Sequence, residues 1–99
     1  METRNLAATI DSKSITVSGE VYVSRSNMTA SLVRKVPQGI VSTTLALDIE
    51  TSQGQGGGLQ VFTWVPVGYD EAASKGQFNR VSIHFDREPL ATVDVQEAA

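Results

Sequence analysis

The chain has 99 residues, of which 40% are hydrophobic, and it carries a formal net charge of −3. This length and composition predict one folded domain over residues 1–99 with a modest core, and they exclude a disordered chain. The absence of cysteine excludes disulfides, thiolate zinc sites and cysteine nucleophiles, and the acidic balance argues against nucleic-acid binding, which needs a basic surface.

Membrane insertion and export are not predicted either. No apolar run reaches the roughly 18–20 residues that a membrane-spanning helix needs. Residues 1–11 contain no continuous apolar segment of the kind found in a signal peptide. We therefore expect a soluble, cytoplasmic protein that makes no membrane contact.

Apolar and polar residues alternate along most of the chain, which is typical of strands with one buried face and one solvated face. Residues 5–10 and 14–24 show this pattern, and the turn-forming segment 11–14 separates them. Gly19 lies inside the second strand and keeps its phase. We therefore expect a bulge or a close approach of the backbone at Gly19.

The segment 26–36 allows two interpretations. Met28, Leu32 and Val36 are spaced four residues apart, as on one side of a short helix. The β-branched residues of the segment favour a strand instead, and Pro37 ends the element in either case. We therefore interpret the segment 26–36 as a strand in the main fold prediction.

Residues 40–50 show the clearest alternation of the chain. The glycine-rich segment 51–58 follows and predicts a loop, because glycine resists ordering. A further strand is predicted at 59–66, and Pro66 bounds it. We expect 40–50 and 59–66 to pair as an antiparallel hairpin.

Residues 67–77 form the longest predicted connection, in which Asp70 could cap a single helical turn. Two more strands are predicted at 78–86 and 90–95. The pattern as a whole predicts an all-β domain, a small antiparallel β-sandwich of six or seven strands. The alternative is an α+β domain in which one helix near 27–36 packs on a five-stranded antiparallel sheet.

Two aromatic side chains carry the main functional expectation. On the strand 59–66 the aliphatic residues share one parity, and Phe62 and Trp64 lie on the other. If the aliphatic set faces the core, the two rings face solvent, which is costly unless a partner covers them. The alternative is a central strand that is buried on both faces. Three residues of the strand 78–86 could join the rings in a binding surface: Phe78, Arg80 and His84.

His84 is the single histidine of the chain, and histidine is the side chain that titrates near neutral pH. It shares the polar parity of its strand with Asp86, which could orient it as a general base. The competing interpretation is a half-exposed residue that packs across strands. No serine lies in the G-x-S-x-G turn of a serine hydrolase.

Phosphate and metal sites are not predicted. The glycine-rich segment 54–58 precedes a predicted strand, whereas a phosphate cradle needs a helix N-terminus at that point. The acidic pairs Asp48/Glu50 and Asp86/Glu88 lack the spaced oxygen ligands of a calcium loop. We therefore expect no cofactor and no bound metal.

These observations favour a non-enzymatic interaction or structural module. We expect it to self-associate through the face that carries Phe62 and Trp64, because aromatic surfaces and unpaired strand edges both invite a second copy. A different protein is the alternative partner for this face. The alternative is a small-ligand-binding domain or weak hydrolase built on His84, Arg80 and Asp86.

Overall fold

The computed structural model describes residues 1–24, 27–54 and 62–98. Within these residues the chain forms strands and no helix, which confirms the all-β class. The alternative fold with a helix near 27–36 is wrong, because this segment contains the third strand. The seven strands are β1 (Thr3–Ile10), β2 (Ser14–Val23), β3 (Met28–Arg34), β4 (Thr44–Gln53), β5 (Thr63–Ala72), β6 (Arg80–Phe85) and β7 (Glu88–Glu97).

The strands form one curled sheet in the order β3-β4-β6-β7-β1-β2-β5. Most neighbours are antiparallel, whereas β4 and β6, and β1 and β7, run parallel. Strand β7 connects the two halves of the sheet: residues 88–94 pair with β6, and residues 95–97 pair with β1. The sheet curls so far that its two end strands, β3 and β5, approach each other as in a nearly closed barrel.

The core contains the apolar parity that the alternation predicts. Fully buried side chains come from β1, β2, β4 and β6, so both halves of the sheet contribute to one interior. The largest of them are Ile10, Ile15, Leu45, Leu47, Ile83, Val17, Val21 and Val81.

The predicted hairpin between 40–50 and 59–66 is wrong. Strand β4 lies between β3 and β6 instead, and β5 pairs along its whole length with β2. Strand β4 buries the consecutive residues Leu45, Ala46 and Leu47, which requires cover on both faces and neighbours on both edges. The predicted loop 51–58 is partly strand, since β4 continues to Gln53, and its remainder beyond residue 54 lies outside the described residues.

Strand β5 also differs from the prediction, because it continues through Pro66 to Ala72 where a connection was expected. Asp70 accordingly lies in a strand and caps no helical turn. Proline is tolerated here because β5 ends the sheet, and an edge strand has one side without ladder hydrogen bonds. The chain turns later, near Gly76, whose φ of 83° suits glycine.

Gly19 faces a bulge in the neighbouring strand, as expected. Arg4 pairs with Glu20 and Ala7 pairs with Ser18, so β1 places two residues opposite Gly19. One of these residues is Leu6, whose side chain covers the space that a side chain at position 19 would take. A Cβ atom on Gly19 would collide with Leu6 Cδ2 and would lie 3.4 Å from Leu6 Cα.

Gly19→Val is therefore expected to lower the free energy of unfolding by about 1–3 kcal/mol, through overpacking against Leu6. Urea denaturation followed by circular dichroism measures the loss. In a Leu6→Ala background the same substitution should cost less, because the colliding atoms are gone. An equal loss in both backgrounds would contradict this account of the close contact.

The two end strands are joined by a side-chain network. Arg34 Nη1 on β3 donates to both carboxylate oxygens of Glu71 on β5 at 2.7 Å, and the Tyr69 hydroxyl donates to Glu71 Oε1 at 2.7 Å. Burial, and then the hydrogen bond to Glu71, raise the pKa of Tyr69 above its ordinary value. The Glu71 carboxylate, through its hydrogen bond, likewise raises the pKa of Arg34.

Candidate functional site

Aromatic rings from two neighbouring strands meet on the outside of the sheet. Tyr22 of β2 pairs in register with Trp64 of β5, and Phe62 lies just before β5. The rings of Tyr22 and Phe62 are stacked, with centroids 5.4 Å apart and planes 9° apart. Trp64 tilts against Tyr22 at a centroid distance of 4.8 Å, and Phe62 is 60% exposed. We call the surface formed by these three rings and by Arg4, which lies over the Trp64 ring, the aromatic surface.

Arg4 of β1 completes this surface. Its guanidinium carbon lies 4.1 Å from the centroid of the Trp64 ring, which is a cation–π contact. Arg4 Nε and Nη2 donate to the two carboxylate oxygens of Glu20 at 3.2 and 3.3 Å, and Asn5 Nδ2 donates to the same carboxylate at 2.8 Å. The hydrogen bonds from Arg4, and then from Asn5, lower the pKa of Glu20. Arg4 and Glu20 therefore place one cation and one anion side by side at the aromatic surface.

Phe62 and Trp64 lie outside the core, which is the first of the two orientations that sequence parity left open. Neither ring belongs to the buried cluster. In the same strand, Val67 belongs to this cluster and Val65 packs against it. The aliphatic residues 59 and 61 lie outside the described residues. Tyr22 and Arg4 were not predicted from the sequence as members of this surface. Tyr22 lies on the solvent parity of its own strand, but only the pairing of β2 with β5 brings it to Trp64.

Phe78, Arg80 and His84 do not join Phe62 and Trp64. Strand β6 pairs with β4 and β7, not with β5, so the two sets lie on different parts of the sheet. Phe78 is 6% exposed and belongs to the core. It precedes the first residue of β6, so the parity of that strand does not extend to it. Arg80 is exposed, and its Nε lies 3.7 Å from Asp94 Oδ1.

His84 lies beside a groove on the outer face of β4 and β6. Its Nε2 lies 3.0 Å from Ser82 Oγ, two residues earlier on the same strand. Asp86 does not orient the ring, because it belongs to the tight turn into β7, in which Asp86 and Arg87 have φ values of 50° and 69°. The proposed set of His84, Arg80 and Asp86 is thus not assembled in one site in the described part of the chain.

The groove has a volume of about 470 Å³ and is formed by the loop between β3 and β4. This loop includes residues 40–43, which were expected to begin the strand that starts only at Thr44. Its apolar lining consists of Pro37, Ile40, Val41 and Ala46, and its polar lining includes Lys35, Ser82 and His84. His84 is the one residue of this lining that the sequence pattern predicts as a binding residue.

Comparison with known proteins adds no family to this description. No protein-family model, no curated protein and no solved structure matches the chain. In the described ranges no group of three acidic or histidine side chains is placed to hold a metal ion. The same ranges hold no helix with the length and apolar character for crossing a membrane.

Proposed function

We propose that this protein is a non-enzymatic interaction module that forms a homodimer through the aromatic surface. The observation that carries the proposal is the ring of Phe62, 60% exposed and stacked on Tyr22 next to Trp64. Tryptophan, tyrosine and arginine are the residues most enriched among those that dominate binding energy at interfaces. This surface groups all three with an exposed phenylalanine.

A second copy of the chain is the partner that the charges favour. A two-fold interface must be complementary to itself. Arg4 and Glu20 supply one charge of each sign, so a two-fold axis that passes close to this pair would bring Arg4 of one copy near Glu20 of the other. Two copies with a net charge of −3 repel each other at long range, and a locally neutral contact region limits this repulsion.

The free edge of β5 supports the same arrangement. Among the described residues β5 is hydrogen bonded along one side only, to β2. The Arg34–Glu71 ion pair joins β3 to the end of β5 that lies away from Trp64, and we propose that the half of β5 near Trp64 pairs with another chain. Unpaired backbone groups on an edge strand are a template for pairing between copies.

The test is sedimentation velocity across the micromolar range. We expect the wild-type protein to change from monomer to dimer as its concentration rises, and Phe62→Ala to raise the dissociation constant at least about tenfold. The matched control is Val36→Ala, which also shortens an exposed apolar side chain but lies in the loop after β3.

A wild-type protein that stays monomeric throughout this range contradicts the proposal. Equal effects of Phe62→Ala and Val36→Ala contradict the choice of surface. The lack of cysteine is compatible with the reducing cytoplasm, where we propose that the dimer acts.

A further inference from the structure

The groove beside His84 is built by specific hydrogen bonds of the β3–β4 loop. The side-chain amide of Gln38 pairs with the backbone of Ala46 on β4: Nε2 donates to the carbonyl and Oε1 accepts from the N–H, each at 2.9 Å. Lys35 N donates to the same carbonyl at 3.0 Å, and Asn79 N donates to Thr43 O at 2.9 Å. The loop is therefore held against the sheet at both ends and in the middle, so the groove exists without a ligand.

The walls of the groove leave apolar area uncovered. Ile40 is fully exposed, at 104%, and Val41 is 56% exposed. Ala46 forms the floor and is 5% exposed. The volume of about 470 Å³ is in the usual range for a small-molecule site. An aliphatic or aromatic body of a few carbons would bury these side chains.

The polar lining favours a negative charge. Lys35 lines the groove, and none of the aspartates and glutamates in the described residues does, although the chain has 11 acidic and 8 basic residues. Asp48 is the register neighbour of His84 on β4 and does not line the groove. Within the described residues no ion pair engages Lys35. Its ammonium group is thus available to an anion, and the Ser82 hydroxyl is a second donor when His84 Nε2 carries a proton and donates to Ser82 Oγ.

We propose that this groove binds a small organic acid, with the carboxylate at Lys35 and Ser82 and a short apolar body against Pro37, Ile40 and Val41. A single charge on an apolar body matches one lysine at the edge of an aliphatic groove. A phosphate or another compact anion would leave the apolar walls uncovered. The inference is independent of the homodimer, because the groove and the aromatic surface lie on different strands.

The test is a titration of the ¹⁵N-labelled protein with hexanoate, followed by NMR chemical shifts. Hexanamide has the same alkyl chain as hexanoate but no charge, and inorganic phosphate is charged but has no alkyl chain. We expect hexanoate to shift the amides of residues 35–41, Ala46 and Ser82, and to bind at least about fivefold more tightly than hexanamide. Phosphate should not bind in the same concentration range.

Three variants assign the parts of the site. Lys35→Met keeps an unbranched apolar side chain without the charge, and should remove the preference for hexanoate over hexanamide. Lys75→Met makes the same change in the turn before β6 and should leave binding unchanged. Ile40→Ala should weaken hexanoate and hexanamide alike.

Several results would overturn the proposal: equal binding of acid and amide by the wild-type protein, equal effects of the two lysine variants, binding of phosphate as tight as that of hexanoate, or shifts centred away from the groove. Repeating the titration with Phe62→Ala separates the two proposals. Hexanoate should bind this variant as it binds the wild-type protein, whatever the oligomeric state.

Discussion

Trp64→Ala is expected to weaken self-association and to leave the fold intact. Trp64 is half-buried and lies outside the core cluster, where it contacts the Tyr22 ring and the Arg4 guanidinium. Losing these contacts should lower the free energy of unfolding of the monomer by about 1–2 kcal/mol. As the centre of a dimer interface, the same ring should contribute about 2 kcal/mol or more to association, which is roughly a thirtyfold change in the dissociation constant.

Denaturant unfolding at two protein concentrations measures both effects. Circular dichroism is the signal to use, because the variant loses the single tryptophan of the chain. The unfolding midpoint of a dimer rises with protein concentration, so it should do so for the wild-type protein and not for the variant. A loss of about 3–5 kcal/mol at every concentration, with no concentration dependence in either protein, would show that Trp64 is a core residue.

Ile83→Ala is expected to have the largest effect on stability, a loss of about 2–5 kcal/mol. Ile83 on β6 is 0% exposed, and its register neighbours are Leu47 on β4 and Ala91 on β7. Truncation removes its contacts across the middle of the sheet and leaves a cavity in the core. Domains have a total stability of about 5–15 kcal/mol, so this one change removes a large share.

Ile40→Ala is the matched control, because it removes the same three carbons from a fully exposed side chain. Its cost should stay within about 0.5 kcal/mol. Urea unfolding followed by Trp64 fluorescence compares the two variants directly. Similar costs for both would contradict the placement of Ile83 in the core and of Ile40 on the surface.

The alternation of side chains predicted the strands and most of the core. Val17, Leu47 and Ile83 are buried as their parity indicates, because the period of two is a property of any extended chain. The predictions failed where a segment leaves this regular geometry. Phe78 precedes β6 and turns inward, and residues 67–72 form a strand only because β2 supplies a partner of matching length.

Local sequence by itself therefore determined the all-β class and most of the strand-forming segments, and it left open whether Phe62 and Trp64 face solvent or are buried. Only the tertiary structure decided which strands are neighbours, because pairing depends on burial across the whole sheet and not on proximity along the chain. That choice separates His84 from Trp64 and brings Tyr22 and Arg4 to the aromatic surface. The groove arises in the same way, because the hydrogen bonds between Gln38 and Ala46 follow no periodic pattern that a sequence can display.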